Sequence, residues 1–219
     1  IVETDNTRIL VDTSPDMRAQ LLDADVWQVD AILFTHAHAD HVNGIDDIRT
    51  LNYHKGGALD AFASAQTLDI LQERFGYIFE PYRDVNPQFW RPCLNPKVID
   101  GPFMIGDIEI QPFAQEHGRM PSLGFRFGPF AYSTDVKTLP EEAFELLDGI
   151  EVWIVDALSE NPHPTHSHVD QTLDWITRVG SKRAVLTHLS HRTDYARLAA
   201  RLPAGVEPGI DGMVIRIPE

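Results

Sequence analysis

The run Thr35-His36-Ala37-His38-Ala39-Asp40-His41 limits what this chain can be more than any other stretch. It follows Asp30-Ala31-Ile32-Leu33-Phe34, which reads as a buried strand, and leads into Val42 to Asn52, which has a helix-like pattern. The motif therefore falls at a strand-to-helix turn. In extended backbone, residues two apart point the same way, so His36, His38 and Asp40 converge from one side while His41 opens the following helix. Imidazole and carboxylate together suit zinc, manganese or iron. Four such ligands within six residues are too many for one open catalytic ion unless two ions share them. A His-rich surface loop without a tight site is the alternative; it suits an isolated His pair better than this density.

With 219 residues and 43% hydrophobic content, the chain can bury a real core and suits a single domain over 1–219. No apolar run approaches the roughly 18 residues of a membrane span, and Ile1-Val2-Glu3-Thr4-Asp5 has neither a basic flank nor an apolar targeting core. The lone Cys93 rules out an intramolecular disulfide and suits a reducing compartment. The expectation is a soluble, cytoplasmic protein with no membrane partner. A formal charge of −15, from 33 acids against 18 bases, repels a long polyanion and disfavours a large nucleic acid. A small phosphorylated molecule is compatible with it, because cations and a few basic residues inside a pocket can hold one.

Along the chain, Arg8 to Val11 reads as a strand ending at Asp12, and Met17 to Ala24 has helical spacing, with Ser14 or Thr13 as N-cap and Pro15 in the first turn. Ile45, Ile48 and Leu51 form one apolar helical face. Leu59 to Ala63 reads as a strand, followed by a helix from Ser64 or Ala65. Gly76 to Pro102, rich in proline and aromatics, is too long for a simple connection and reads as a lid or a homodimer surface. Ile108 to Phe113 alternates like a strand and runs into His117-Gly118; a hairpin around Gly128-Pro129 ends at Ser133-Thr134-Asp135. Val152 to Val155 is a strand ending at Asp156, before a proline-stiffened loop carrying His163, His166 and His168. Val169 to Val179 is an amphipathic helix, Arg183 to Leu186 a core strand ending at Thr187-His188, and Met213 to Ile217 a strand closing the sheet.

The His-x-His-x-Asp-His pattern after a hydrophobic strand resembles the signature of the metallo-β-lactamase fold hydrolases. Gly44-Ile45-Asp46-Asp47-Ile48-Arg49 resembles the branch that holds the PhnP-like cyclic phosphodiesterase of bacterial phosphonate degradation and its RNA-metabolising relatives. The resemblance implies an α/β fold, a four-layer αββα sandwich of two mixed sheets flanked by helices. That fold normally begins with an earlier hairpin; here the chain enters almost at once into the strand carrying Asp12, without an initiating Met, so the hairpin is expected to be missing.

The same resemblance implies roles. Asp12 supports the metal loop; His36, His38 and His117 hold one ion, and Asp40, His41 and His188 the other. Asp135 bridges them, because a carboxylate has two oxygens. His166, in its Pro-Thr-His-Ser context, matches a non-ligand catalytic His, with His168 as runner-up. His191 matches a residue that joins N-terminal cysteines around a structural zinc in the phosphonate-pathway relatives, but those cysteines have no match here. The implied enzyme is a dinuclear phosphodiesterase using two Zn²⁺ or Mn²⁺ ions and a bridging hydroxide on a small cyclic phosphate or a nucleotide-like phosphodiester. Asp40 orients the water, and His166 assists the phosphoryl oxygen or the departing alkoxide. A thioesterase of the glyoxalase II kind and an RNA 3′-processing endonuclease are the alternatives, the latter disfavoured by the charge. A β-lactamase fits less well, since no secretion signal is visible and that class often departs from the full six-residue motif, and a scaffold that has lost its activity fits less well, since every expected ligand position is filled.

Overall fold

Short apolar runs in the first half become strands that lie side by side in chain order: β1 (Val2–Glu3), β2 (Arg8–Val11), β3 (Ala31–Leu33), β4 (Leu59–Ala63) and β5 (Leu94–Val98). β1 and β2 pair antiparallel, and the others pair parallel, with Leu33 beside Val11 on one side and Phe62 on the other. Parallel strands are covered on both faces and read as unbroken apolar runs; all of β3 is buried accordingly. The computed structural model describes residues 1–81 and 92–217. The chain divides into two compact units, Ile1–Glu109 and Ile110–Glu219. Residues 82–91 of the segment read as a lid or dimer surface lie outside the described residues.

In the first unit, α1 (Met17–Asp23), α2 (Ala39–Val42), α3 (Arg49–Lys55) and α4 (Ala65–Phe79) accompany the sheet. Two expectations need correction. The N-cap of α1 is Asp16 rather than Ser14 or Thr13; the Thr13 hydroxyl instead donates to the Val42 carbonyl at 3.3 Å. Val42 to Asn52 is not one helix either, since a 3-10 turn at Ile45–Ile48 separates α2 from α3. Gly44 explains the break. Its N–H donates to the Thr13 carbonyl at 2.8 Å, and a Cβ there would meet the Ser14 carbonyl oxygen at 2.1 Å. The apolar spacing still holds, because Ile45, Ile48 and Leu51 are all buried in the first core with Leu10, Ile32 and Phe34. α4 starts where expected, with Ser64 accepting from the Thr67 N–H at 3.1 Å.

The remaining strands are β6 (Phe103–Ile105), β7 (Ile108–Gln115), β8 (Ser122–Phe127), β9 (Phe130–Ser133), β10 (Val152–Asp156), β11 (Arg183–Thr187) and β12 (Val206–Pro208). They form a seven-stranded sheet in the order β12-β11-β10-β9-β8-β7-β6. β7, β8 and β9 are antiparallel neighbours, and β9 to β12 run parallel. The second unit's helices are α5 (Glu141–Leu147), α6 (Val169–Val179) and α7 (Tyr195–Arg201). The fold is thus α/β, with two mixed sheets flanked by helices. α6 buries Val169, Trp175 and Ile176 on one face, and each well-buried side chain of this kind contributes about 1.5–3 kcal/mol. The closing strand is β12, not Met213 to Ile217: Val206 pairs with Ala184, and Pro208, which lacks an N–H, is tolerated at an edge. Met213 to Ile217 keeps its alternation of half-buried and exposed side chains but joins no ladder among the described residues. No described helix is long and apolar enough to cross a membrane.

Candidate active site

In the first unit the site residues gather where β2 and β3 end. Asp12 leaves β2 in the left-handed region, φ 60°, and its carboxylate is buried. One oxygen accepts the Thr35 N–H at 2.8 Å; the other accepts the Thr35 hydroxyl and the His41 Nδ1–H, each at 2.7 Å. Having given its proton to Asp12, the Thr35 hydroxyl accepts from His36 Nδ1 at 3.0 Å. An ionised carboxylate only accepts, so Asp12 fixes the tautomer of His41 directly and of His36 through Thr35. Both rings then carry the proton on Nδ1 and turn Nε2 away from Asp12 and Thr35, which is the outer-shell arrangement that orients imidazole ligands. His36 Nε2 lies 2.9 Å from His38 Nδ1, and His41 Nε2 lies 3.5 Å from Asp40 Oδ2.

In the second unit the corresponding groups come from four places: His117 after β7, Asp135 after β9, His166 on the loop before α6, and His188 after β11. Asp135 lies at their centre. Its Oδ2 is 3.3 Å from His117 Nε2, and its Oδ1 is 3.3 Å from His188 Nε2. His117 donates its Nδ1–H to the Thr165 carbonyl at 2.7 Å, which turns Nε2 toward Asp135. Gly118, at φ 65°, allows this approach, since a Cβ there would lie 2.7 Å from the Thr165 methyl. Asp135 and His188 are left-handed at φ 52° and 56°, so with Asp12 they make three of the four non-glycine residues in that region among the described residues. Such backbone costs of order 1 kcal/mol or more and persists only where the surroundings enforce it.

His166 donates Nδ1–H to Asp156 Oδ2 at 2.9 Å, and its Nε2 lies 3.9 Å from Asp135 Oδ2. Asp156 is fully buried and also accepts the Val136 N–H at 3.0 Å. Burial pushes the Asp156 carboxyl above its ordinary range, and the His166 hydrogen bond opposes this. His163 stands beside His166, with ring centroids 5.2 Å apart, and burial lowers its pKa. Asp156, His166 and His188 lie close enough to hold an ion. The hydrogen bond commits one oxygen of Asp156 and one nitrogen of His166 to each other, so the pair presents a held imidazole with Nε2 outward. His168 instead sits at the N-cap of α6, and neither it nor the exposed His191 belongs to a metal-capable group among the described residues.

The spacings suit a metal. Around a tetrahedral ion with arms of about 2.0–2.1 Å, neighbouring ligand atoms sit about 3.3–3.4 Å apart, and the four pairs above span 2.9 to 3.5 Å. Reading the sequence alone assigned Asp12 its place but missed Thr35 and Thr165 as supports and left Asp156 as a strand-ending acid. The one available signal was the recurrence of an acid at a strand end, at Asp12 and Asp156 alike.

The fold and these His/Asp clusters, compatible with a divalent metal, define a metal-dependent hydrolase of the metallo-β-lactamase kind. The chain belongs to the β-lactamase superfamily, whose domain model matches residues 7–189. A crystal structure described as a new diphosphatase from the PhnP family superposes with a TM-score of 0.87 at 31% identity, covering 96% of this chain and 80% of that one. A Porphyromonas gingivalis protein named octanoyltransferase is 35% identical over 223 residues, all of this chain and 44% of that protein. A Bradyrhizobium ribonuclease Z is 30% identical over 131 residues, 58% of this chain and 42% of its own length. This chain therefore spans less than half the length of those last two relatives.

Proposed function

We propose that this domain hydrolyses a phosphodiester or diphosphate bond in a small molecule with the help of two divalent ions, zinc or manganese. His36, His38 and His117 would hold one ion, and Asp40, His41 and His188 the other, with Asp135 shared. The observation that carries this reading is Asp135, each of whose oxygens faces a different imidazole at 3.3 Å. When bound, such ions supply Lewis acidity to a phosphoryl oxygen and an acidified water. Asp40 keeps a second carboxylate oxygen to orient that water. His166, held through Nδ1 by Asp156, presents Nε2 as the atom that stabilises a phosphoryl oxygen or delivers a proton to the leaving oxygen.

The likeness to the PhnP-family diphosphatase supports phosphoryl chemistry, and it favours a diphosphate beside the cyclic phosphate or nucleotide-like diester. The charge of −15 supports a small substrate over a polynucleotide. Acyl transfer through a thiol has no support in this chain, because its single cysteine, Cys93, is buried. Metal-stripped protein should hydrolyse bis(p-nitrophenyl) phosphate, a 2′,3′-cyclic nucleotide or a dinucleotide diphosphate only after Mn²⁺ or Zn²⁺ is restored. Cleavage of a thioester with no turnover on any of the three would move the assignment to a thioesterase.

A further inference from the structure

α4 buries Thr67, Leu68, Leu71 and Ile78, and Arg74, three residues after Leu71 and four before Ile78, lies at the exposed edge of that side. From there its guanidinium reaches back to the protein: Arg74 Nη1 donates to the carbonyl of Ala37 at 2.6 Å. Ala37 is fully buried and sits between His36 and His38. Directly after Arg74, Phe75 leaves helical geometry at φ −127°, ψ 36°, so the helix bends at the residue following this contact.

We propose that Arg74 is a positioning residue that holds the peptide between His36 and His38 and thereby fixes the bite of this imidazole pair on its ion. The inference rests on reading that loop as metal-binding. Asp12 and Thr35 restrain the outer nitrogens of His36 and His41, and Arg74 holds the backbone between His36 and His38 through the Ala37 carbonyl. Without it, a buried carbonyl loses its charge-assisted partner, and the peptide that sets the direction of His38 relative to His36 is released.

The test is zinc binding by metal-stripped protein in competition with a chromogenic chelator, for the parent chain, Arg74→Met and Arg74→Lys, with the melting temperature of each apo form. We expect the parent to take up two equivalents. Arg74→Met should weaken one of them about 10- to 100-fold, the usual effect of losing an outer-shell partner, with the other equivalent unchanged and at most a small drop in the apo melting temperature from the Ala37 carbonyl. Arg74→Lys, which keeps a cationic donor, should restore part of the loss. Parent-like binding of both equivalents by Arg74→Met would overturn the assignment, as would equal weakening of both with a lowered apo melting temperature. A parent chain that takes up no zinc would instead overturn the metal-binding reading beneath it, and the inference with it.

Discussion

The two units hold their candidate ligands in different ways. The first concentrates its groups in one turn, His36 to His41, braced by a single buried carboxylate at Asp12. The second draws His117, Asp135, His166 and His188 from four separated places, and they meet at Asp135. A compact turn is supported from behind, so losing one of its ligands should damage one ion position. A dispersed set has a hub, and losing the hub should damage both.

The largest effect is therefore expected at that hub. Asp135→Asn removes the charge while keeping a residue that tolerates the left-handed backbone. It should weaken both metal equivalents and lower turnover by more than the roughly 10²–10⁴-fold that one proton-transfer group supplies; selective loss of one equivalent in a metal titration would break the contrast between hub and turn. Next comes His166→Ala, which should retain metal and lose about 10²–10⁴-fold in kcat. Unchanged turnover would remove His166 from the chemistry. Asp12→Asn acts from behind the turn: with its acceptor for His41 Nδ1 weakened, metal affinity should fall about 10- to 100-fold, which the same titration reads.

The smallest effect lies away from both shares. The Thr7 and Thr4 hydroxyls and the Asn6 amide hold the exposed Asp107 down to about 2, against an ordinary 3.8. A lowered carboxyl stabilises the fold above its unfolded value, and this contribution fades as pH falls from 3.8 toward about 2. Asp107→Ala should therefore remove a small acid-side slope from the melting temperature between those values while leaving metal binding as in the parent. An unchanged acid slope would show that these hydrogen bonds do not discriminate folded from unfolded chain.

What could be read from the sequence follows the same division. The turn was legible because its ligands are adjacent and side-chain alternation in extended backbone is a local rule, whereas His117, Asp135 and His188 became candidates only through their order in a known family pattern. Strands with clear apolar runs, such as Val152 to Asp156, fell where expected. Val42 to Asn52 did not, because Gly44 is pressed against a carbonyl from residue 14, a contact distant in sequence. Met213 to Ile217 had the alternation of a strand without a partner strand among the described residues, and alternation cannot specify a neighbour. Thr165 acts through its backbone carbonyl, which any residue carries, so its identity held no signal. Arg74 left none either, since an exposed charge on a helix is ordinary.

Metal content per chain, measured by elemental analysis after stripping, reloading with Zn²⁺ and desalting, tests the central claim most directly. If the turn and the dispersed set each give one ligand pair to each of two ions, the parent chain will hold two equivalents and His188→Ala will hold one. A parent chain saturating at one equivalent or none would contradict the account.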